Sequence, residues 1–427
     1  MDGAPHTPAS PLAADLERLA AFSAGGNGVT RLAWSPELKA AYAWFAGRCA
    51  DEGMRAEVDA AGNLVARWGP EDGPAVVMGS HMDSVPEGGW FDGQLGVLGG
   101  LEAVRLLRAW GVEPARPVWV VAFMDEENTR FNTALFGSRA FCGEDVTGLG
   151  GRVDADGVTL AEAMRRWDRD IAEAGSARRI DQVGDYLELH IEQGPRLAAS
   201  GAQIGVVTGI VAMAGYRVRV AGEPNHAGTT PMDARRDALA AAARMTLAIR
   251  EEGRSRPEHT TNVGVLTVES ASSNVIPGAC AFTIDLRAPG DDRIEELDAA
   301  CRERLGAIAR EEDVEIELES VYRMPAVPMD AHLRSLIEGA ARDEEASVMT
   351  LSSGAGHDAM VLGRYVPTAM VFVPSRDGVS HSPAEFTTAE DCRLGAQVLA
   401  RVVKALVEDP PSQIARRAAT IESTPTD

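Results

Sequence analysis

Cysteine is scarce in this 427-residue sequence, positive charge is in deficit, and long apolar runs are missing. The five cysteines, Cys49, Cys142, Cys280, Cys301 and Cys392, are odd in number and include no C-x-x-C pair. That argues against a disulfide framework or a structural zinc knuckle, and a reducing compartment fits best. Lys and Arg total 41 against 64 Asp and Glu, a formal net charge of −23. Such a field repels phosphate backbones and anionic lipid heads, so neither nucleic acid nor a membrane is an expected partner. An anionic substrate would then need a local concentration of Arg, His or metal ions. The longest strongly apolar run, residues 118–124, is far too short to span a bilayer. The opening MDGAPHTPASPLAADL has no basic region followed by an apolar stretch, so no export signal is expected and the expected location is cytoplasmic.

What is present is ordinary globular material, 45% hydrophobic and 25% charged, without repeats. Early on, short apolar runs alternate with helical patterns. PAVVM reads as a strand, GVLGGLEAVRLLRAWG carries Leu98, Leu101, Val104 and Leu107 at helical spacing, and VWVVAFM reads as a strand again. This β-α-β rhythm predicts an α/β domain with a mainly parallel sheet and helices on both faces. Near residue 213 the period changes: YRVRV and AFTIDLR alternate apolar with polar residues, as half-buried strands do. A helix is expected between them from about Asp233 to Arg250, with Thr230 as N-cap and Pro231 in the first turn. The expected organisation is a discontinuous domain, residues 1–213 and 328–427, carrying an inserted smaller α+β domain at 214–327. The polar ends, 1–12 and 409–427, are expected to be flexible.

Chemistry-bearing residues gather where strands should end. GSHMDSVPEGGWFDGQLG follows a strand, and its glycines allow His81 and Asp92 to approach each other. VWVVAFM runs straight into Asp125, Glu126 and Glu127, a set of carboxylates whose mutual repulsion a cation would relieve. Adjacent residues on a regular strand point to opposite faces, so both glutamates can serve one site only if the strand has ended and the backbone has turned. His190 closes the apolar stretch in YLELHIEQGP, and His381 follows the strand-like TAMVFVP. Together His81, Asp92, Glu127, His190 and His381 offer three imidazoles and two carboxylates, a set suited to zinc, manganese or cobalt. Asp92 is able to bridge two ions, and Asp83 is close enough in sequence to orient His81.

The strings GSHMDSVPEGGWFDGQLGVLGG, DEENTRF, GSRAF, HIEQGP, HAGTTPMDARRDAL, SNVIPG, DLR, GAGHDAM and SHSPAEF, in that order, resemble the N-carbamoyl-L-amino-acid hydrolase and allantoate amidohydrolase group of dinuclear metallohydrolases, which also holds β-ureidopropionase and lies within the M20 peptidase-like superfamily. The likeness runs from about residue 30 to 405. It implies two divalent ions per subunit, a catalytic domain with an inserted lid that also forms a homodimer interface, and hydrolysis of a ureido carbon–nitrogen bond in a small carboxylate substrate. By the same resemblance one ion would be held by His81, Asp92 and His190 and the other by Asp92, Glu127 and His381. Glu126 would be the general base and His226 a catalytic, oxyanion-stabilising residue. Asn274 and Arg287 would bind the substrate carboxylate, with Gln193, Gly356 and His357 as further substrate contacts. One departure stands out: relatives usually carry Gly after the glutamate pair, and this chain has Asn128.

A urea-type carbonyl is resonance-stabilised, so its hydrolysis at neutral pH needs a Lewis acid on oxygen and an activated water, which agrees with such a site. The expected activity is therefore cleavage of N-carbamoyl-L-amino acids to amino acid, carbon dioxide and ammonia, with allantoate as the nearest alternative substrate. A dipeptidase or aminoacylase is disfavoured because those relatives usually have a carboxylate where His190 stands. A catalytically dead binding protein is disfavoured because all five candidate ligands and Glu126 are present.

Overall fold

The computed structural model describes residues 10–269 and 272–408. The chain divides into two compact units, one running through Thr208 and resuming at Pro328, the other Gly209–Val327. In chain order the strands are β1 (Arg55–Val58), β2 (Leu64–Trp68), β3 (Ala75–His81), β4 (Val118–Phe123), β5 (Val183–Ile191), β6 (Ile204–Ile210), β7 (Ala212–Ala221), β8 (Asn225–His226), β9 (Thr260–Asn262), β10 (Leu266–Val268), β11 (Val275–Ile276), β12 (Ala279–Ala288), β13 (Glu315–Met324), β14 (Val327–Pro328), β15 (Val348–Ser353) and β16 (Thr368–Val373).

The larger sheet has the order β1-β2-β4-β3-β5-β16-β6-β14, with β15 also paired to β6. Its four central strands β4, β3, β5 and β16 are parallel, but β1–β2, β2–β4 and β16–β6 are antiparallel. The sheet is therefore mixed, and the expectation of a mainly parallel one holds only for its centre. The turn between Val58 and Leu64 is far too short for a crossover, so β1 and β2 must form an antiparallel hairpin. Val76 and Met78, Val118 and Val120, and Leu187 and Leu189 share one core with Leu98 and Leu101 of the helix Gln94–Ala109 and Val398 and Val402 of the helix Ala389–Glu408. One residue out of phase, Phe123 meets Phe141 of the helix Phe136–Cys142 edge-to-face at 5.4 Å. Strand alternation thus puts helices against opposite sides of the sheet. Among the described residues no helix is long and apolar enough to cross a membrane.

The N-terminal expectation needs correction. Ser10 caps a helix, Pro11–Ala20, by accepting from the Ala13 N–H, and Leu12 is buried in the core, because Ser-Pro supplies a cap and a pre-set first turn ahead of an amphipathic run. Residues 1–9 and 409–427 lie outside the described residues.

The Gly209–Val327 unit contains a five-stranded sheet, β10-β12-β7-β13 with β9 on β12, and a two-stranded ribbon of β8 and β11. Tyr216, Val218 and Val220 of β7 and Phe282, Ile284 and Leu286 of β12 are buried against the helices Ala238–Arg254 and Asp291–Glu311, while Arg217 and Arg219 are exposed. The first of these helices begins later than expected. Asp237 is its cap, accepting from the Leu239 and Ala240 N–H groups, whereas the Thr230 hydroxyl donates to the His226 carbonyl in the preceding turn. A carboxylate with two amides to accept from wins the cap over a hydroxyl already engaged locally.

The exit of β4 is fixed by one buried side chain. Asn63 Oδ1 accepts from the Met124 N–H at 3.0 Å, and its Nδ2 donates to the Gly137 carbonyl at 3.1 Å and to Asp59 at 3.0 Å. A Cβ on Gly137 would come within 2.1 Å of that Oδ1, so the approach requires glycine. Asn63→Ala would leave the buried Met124 N–H and Gly137 carbonyl without these partners, at about 1–3 kcal/mol per buried group. Thermal unfolding should show the midpoint falling by several degrees; an unchanged midpoint would mean that water or a shifted backbone replaces the amide.

Candidate metal centre

Four adjacent parallel strands lead side chains to their carboxyl ends, where open α/β sheets build sites. His81 is the last residue of β3 and is level with Phe123, the last of β4. The backbone then turns at Asp125, φ +59°, so Glu126 and Glu127 leave the strand alternation together. His190 sits on β5, level with Phe372 of β16, and His381 lies on the loop beyond β16. Asp92 comes from the loop ahead of the helix Gln94–Ala109. There Gly93, at φ +73°, is obligatory, because a Cβ would stand 2.3–2.5 Å from ring atoms of His81.

Each oxygen of Asp92 faces a different group. Oδ1 lies 3.6 Å from His81 Nε2 and 3.3 Å from His190 Nε2, while Oδ2 lies 3.3 Å from His381 Nε2, which is itself 3.4 Å from Glu127 Oε2. The two donor groups, His81–Asp92–His190 and Asp92–Glu127–His381, each hold their ligand atoms within 4.8 Å of one another. Two ligands at about 2.0–2.1 Å from a tetrahedral ion are separated by about 3.4 Å, so these spacings fit divalent zinc-type coordination. The ring tautomers fit as well. His81 Nδ1 donates to the Asp83 carbonyl at 3.0 Å and His190 Nδ1 to the Ile191 carbonyl at 2.9 Å, which leaves both Nε2 lone pairs directed inward. The Gly93 N–H donates to His190 Nε2 at 3.1 Å, a contact only an unprotonated nitrogen accepts.

Burial sets the electrostatics. It pushes Glu126 well above the usual carboxylate range, opposed by His81 and reinforced by Asp358 and Glu127. Burial and the Asp92 charge push Glu127 up to about 7. Asp92 alone is held well below its ordinary value, because His190, His381 and His81 outweigh its burial. Hydrogen bonding to Asp92 pushes His381 up to about 9. Glu126 Oε2 stands 3.7 Å from His81 Nε2, inside the same cluster.

Neighbouring residues divide into supports and outliers. The Asp83 carbonyl, more than its carboxylate at 3.9 Å, holds the His81 ring; the carboxylate accepts from the Glu126 and Glu127 N–H groups at 3.3 and 3.2 Å. Gln193 Nε2 donates to Asp92 Oδ2 at 2.7 Å. His357 is 1% exposed, pairs with Ser353 Oγ at 2.8 Å and packs on the His190 ring, and Gly356 is half-buried beside it. Glu188, His190 and His357 form a further close group, but Glu188 already accepts from Ser80, Tyr186 and the Ala359 N–H. Asn128 has φ +59°, with Oδ1 accepting from the Ala134 N–H. This explains the glycine usual there, and Asn is among the side chains that best tolerate that backbone. Sequence reasoning missed Ser380 and Glu385: Ser380 Oγ donates to Asp92 Oδ2 at 2.6 Å, and Glu385 accepts from the Asp92 N–H at 3.1 Å. Only their place in SHSPAEF, beside His381, signalled them.

His226, Asn274 and Arg287 belong to the other unit. His226 on β8 pairs with Val275 on β11, and the Asn274 carbonyl accepts from the Ala227 N–H, so those two share one ribbon. Arg287, on β12, is gripped by Asp285 at 2.9 Å.

The chain is similar to known proteins along most of its length. The N-carbamoyl-L-amino acid amidohydrolase of Geobacillus stearothermophilus is 40% identical over 385 residues, covering 90% of this chain and 94% of that one. The allantoate amidohydrolase of Escherichia coli is 35% identical over 393 residues, covering 90% and 95%. The crystal structure of an amidase of the hydantoinase/carbamoylase family from Burkholderia multivorans superposes with a TM-score of 0.84 at 37% identity, over 93% of this chain and 98% of that one. The family model for peptidase family M20/M25/M40 matches residues 77–405, a span that contains His81, Asp92, Glu126, Glu127, His190 and His381; the chain is a member of that family.

Proposed function

We propose that this protein is a dinuclear metal-dependent amidohydrolase cleaving the ureido carbon–nitrogen bond of N-carbamoyl-L-amino acids to amino acid, carbon dioxide and ammonia. The observation that carries the reading is the Asp92 carboxylate, with one oxygen toward His81 and His190 and the other toward His381. His81, Asp92 and His190 would hold one ion and Asp92, Glu127 and His381 the other, with zinc, manganese or cobalt as suitable metals. Such ions, when bound, polarise a carbonyl oxygen and make water acidic enough to attack at neutral pH. Glu126 takes the proton of the attacking water and hands it to the departing amine, a role typically worth about 10²–10⁴ in rate. Its burial, which favours the protonated form, suits a carboxylate that must hold that proton between the two steps.

Substrate recognition follows from the remaining residues. Gln193 Oε1 is buried with no hydrogen-bond partner among the described residues, a ready acceptor for a ureido N–H, and Gly356 lets the substrate approach the backbone. His357, packed on the His190 ring with centroids 4.5 Å apart, is a further substrate contact. Arg287, its fork steadied by Asp285, binds the substrate carboxylate with Asn274, and His226 stabilises the oxyanion. The Gly209–Val327 unit acts as lid and homodimer interface; its exposed Met232, Leu247, Val265 and Val321 suit a surface that pairs. Five free, buried cysteines suit the cytoplasm. Allantoate is the second reading, favoured by the Escherichia coli relative. Ammonia release over a panel of N-carbamoyl amino acids, allantoate and dipeptides separates the readings: turnover of dipeptides alone would defeat both.

Asp92→Ala should lose both ions, because a bridging carboxylate belongs to both coordination spheres, while Glu126→Gln should keep two ions and lose turnover by about 10²-fold or more. Folded Asp92→Ala protein with two equivalents of metal would sink the bridging role. Arg287→Lys should raise KM for carboxylate-bearing substrates, since an ammonium cannot reproduce a bidentate fork, and leave their amides unaffected. Equal effects on acids and amides would reject it.

A further inference from the structure

We infer that Glu385 and Ser380 form a strap that positions the second metal half-site, resting on the two-ion reading above. Both residues lie on the loop that carries His381, and that loop approaches the Asp92 loop from almost the other end of the chain. The Glu385 carboxylate is buried, and its Oε1 accepts from two successive backbone groups, the Phe91 N–H at 2.9 Å and the Asp92 N–H at 3.1 Å. Its Oε2 meets Ser380 Oγ at 2.9 Å, and Ser380 Oγ reaches Asp92 Oδ2 at 2.6 Å, which closes a ring through Asp92, Glu385 and Ser380. Gly89 makes room for it, since a Cβ there would stand 2.1 Å from the Glu385 carboxyl.

The ring acts on one side of Asp92. Ser380 touches Oδ2, the oxygen that faces His381, whereas Oδ1 is flanked by His81 and His190, rings fixed on strands β3 and β5. His381 has no strand beneath it: it is half-exposed and holds φ +54° on a loop. The strap therefore sets both the Asp92 Oδ2 direction and the approach of His381, and leaves the His81–Asp92–His190 group to the sheet. Glu385 is a positioning residue, acting through Asp92 and His381 without touching substrate.

The test is a chelator titration of the cobalt-loaded or zinc-loaded protein, first on wild type and then on three variants. Glu385→Ala and Ser380→Ala should release one ion at about 10–100-fold lower chelator concentration, the usual effect of removing a support behind a ligand, with the other ion unchanged. Glu385→Gln should behave like wild type, because its amide oxygen still accepts from Phe91 and Asp92 while its NH₂ donates to Ser380 Oγ, leaving the Ser380 proton for Asp92. Should Glu385→Ala fail to fold, Ser380→Ala carries the decision. Wild-type affinities for both ions in the alanine variants, equal loss of both ions, or failure of Glu385→Gln to rescue would each overturn the strap. Wild-type protein that binds fewer than two ions would instead overturn the two-ion reading, and the strap with it.

Discussion

Like charges buried together are the constraint on which this molecule is organised. Asp83, Asp92 and Glu188 are almost fully buried at one end of the parallel strands, with Glu126 and Glu127 beside them, and a carboxylate out of water is tolerated only with a partner. Asp92 resolves its share by standing among three imidazoles. Asp83 and Glu188 resolve theirs with backbone and hydroxyl donors. Among the described residues Glu126 and Glu127 have no such backbone or hydroxyl donors, and burial drives their proton affinity upward. A metal ion held where the Nε2 and carboxylate lone pairs converge would relieve that excess.

The scaffold earns its rigidity from topology. β4, β3, β5 and β16 are neighbours in the sheet, so the chain ends that follow them open at one place, though they are far apart in sequence. Two imidazoles stand directly on strands and have their Nδ1 groups fixed by carbonyls within two residues, which sets ring orientation at little entropic cost. The third, on a loop, needs tethers from elsewhere. A site built half on strands and half on loops thus has one pre-formed side and one that depends on long-range hydrogen bonds.

What the sequence disclosed follows the same division. His81, His190 and the Glu126–Glu127 pair were legible because each sits at the end of an apolar run, where periodicity marks the strand and chemistry marks its mouth. Glu385, Ser380 and Asn63 were not, since each is a polar residue whose partners are remote; Glu385 and Phe91 are 294 positions apart. Strand direction was equally hidden, because β2 and β6 are apolar whichever way they run. The helix start near residue 238 was misplaced because Thr-Pro is a good local signal, and only the turn's own hydrogen bond to His226 shows why Asp237 takes the cap instead.

Backbone strain links these threads. Asp125, Asn128, Gln193 and His381, all around the centre, hold φ between +54° and +59°, and non-glycine residues in that region carry about 1–3 kcal/mol of strain each. Such conformations persist only where surrounding contacts over-determine them. Asp125 is followed by the amides that Asp83 accepts, Asn128 bonds the Ala134 N–H, the Gln193 N–H donates to Ser375, and His381 is bracketed by Ser380 and Glu385. Each turn redirects a side chain that a regular strand or helix would have pointed elsewhere. Strain and tether therefore form one device: the left-handed residue aims the group, and a polar contact from a different segment holds the aim.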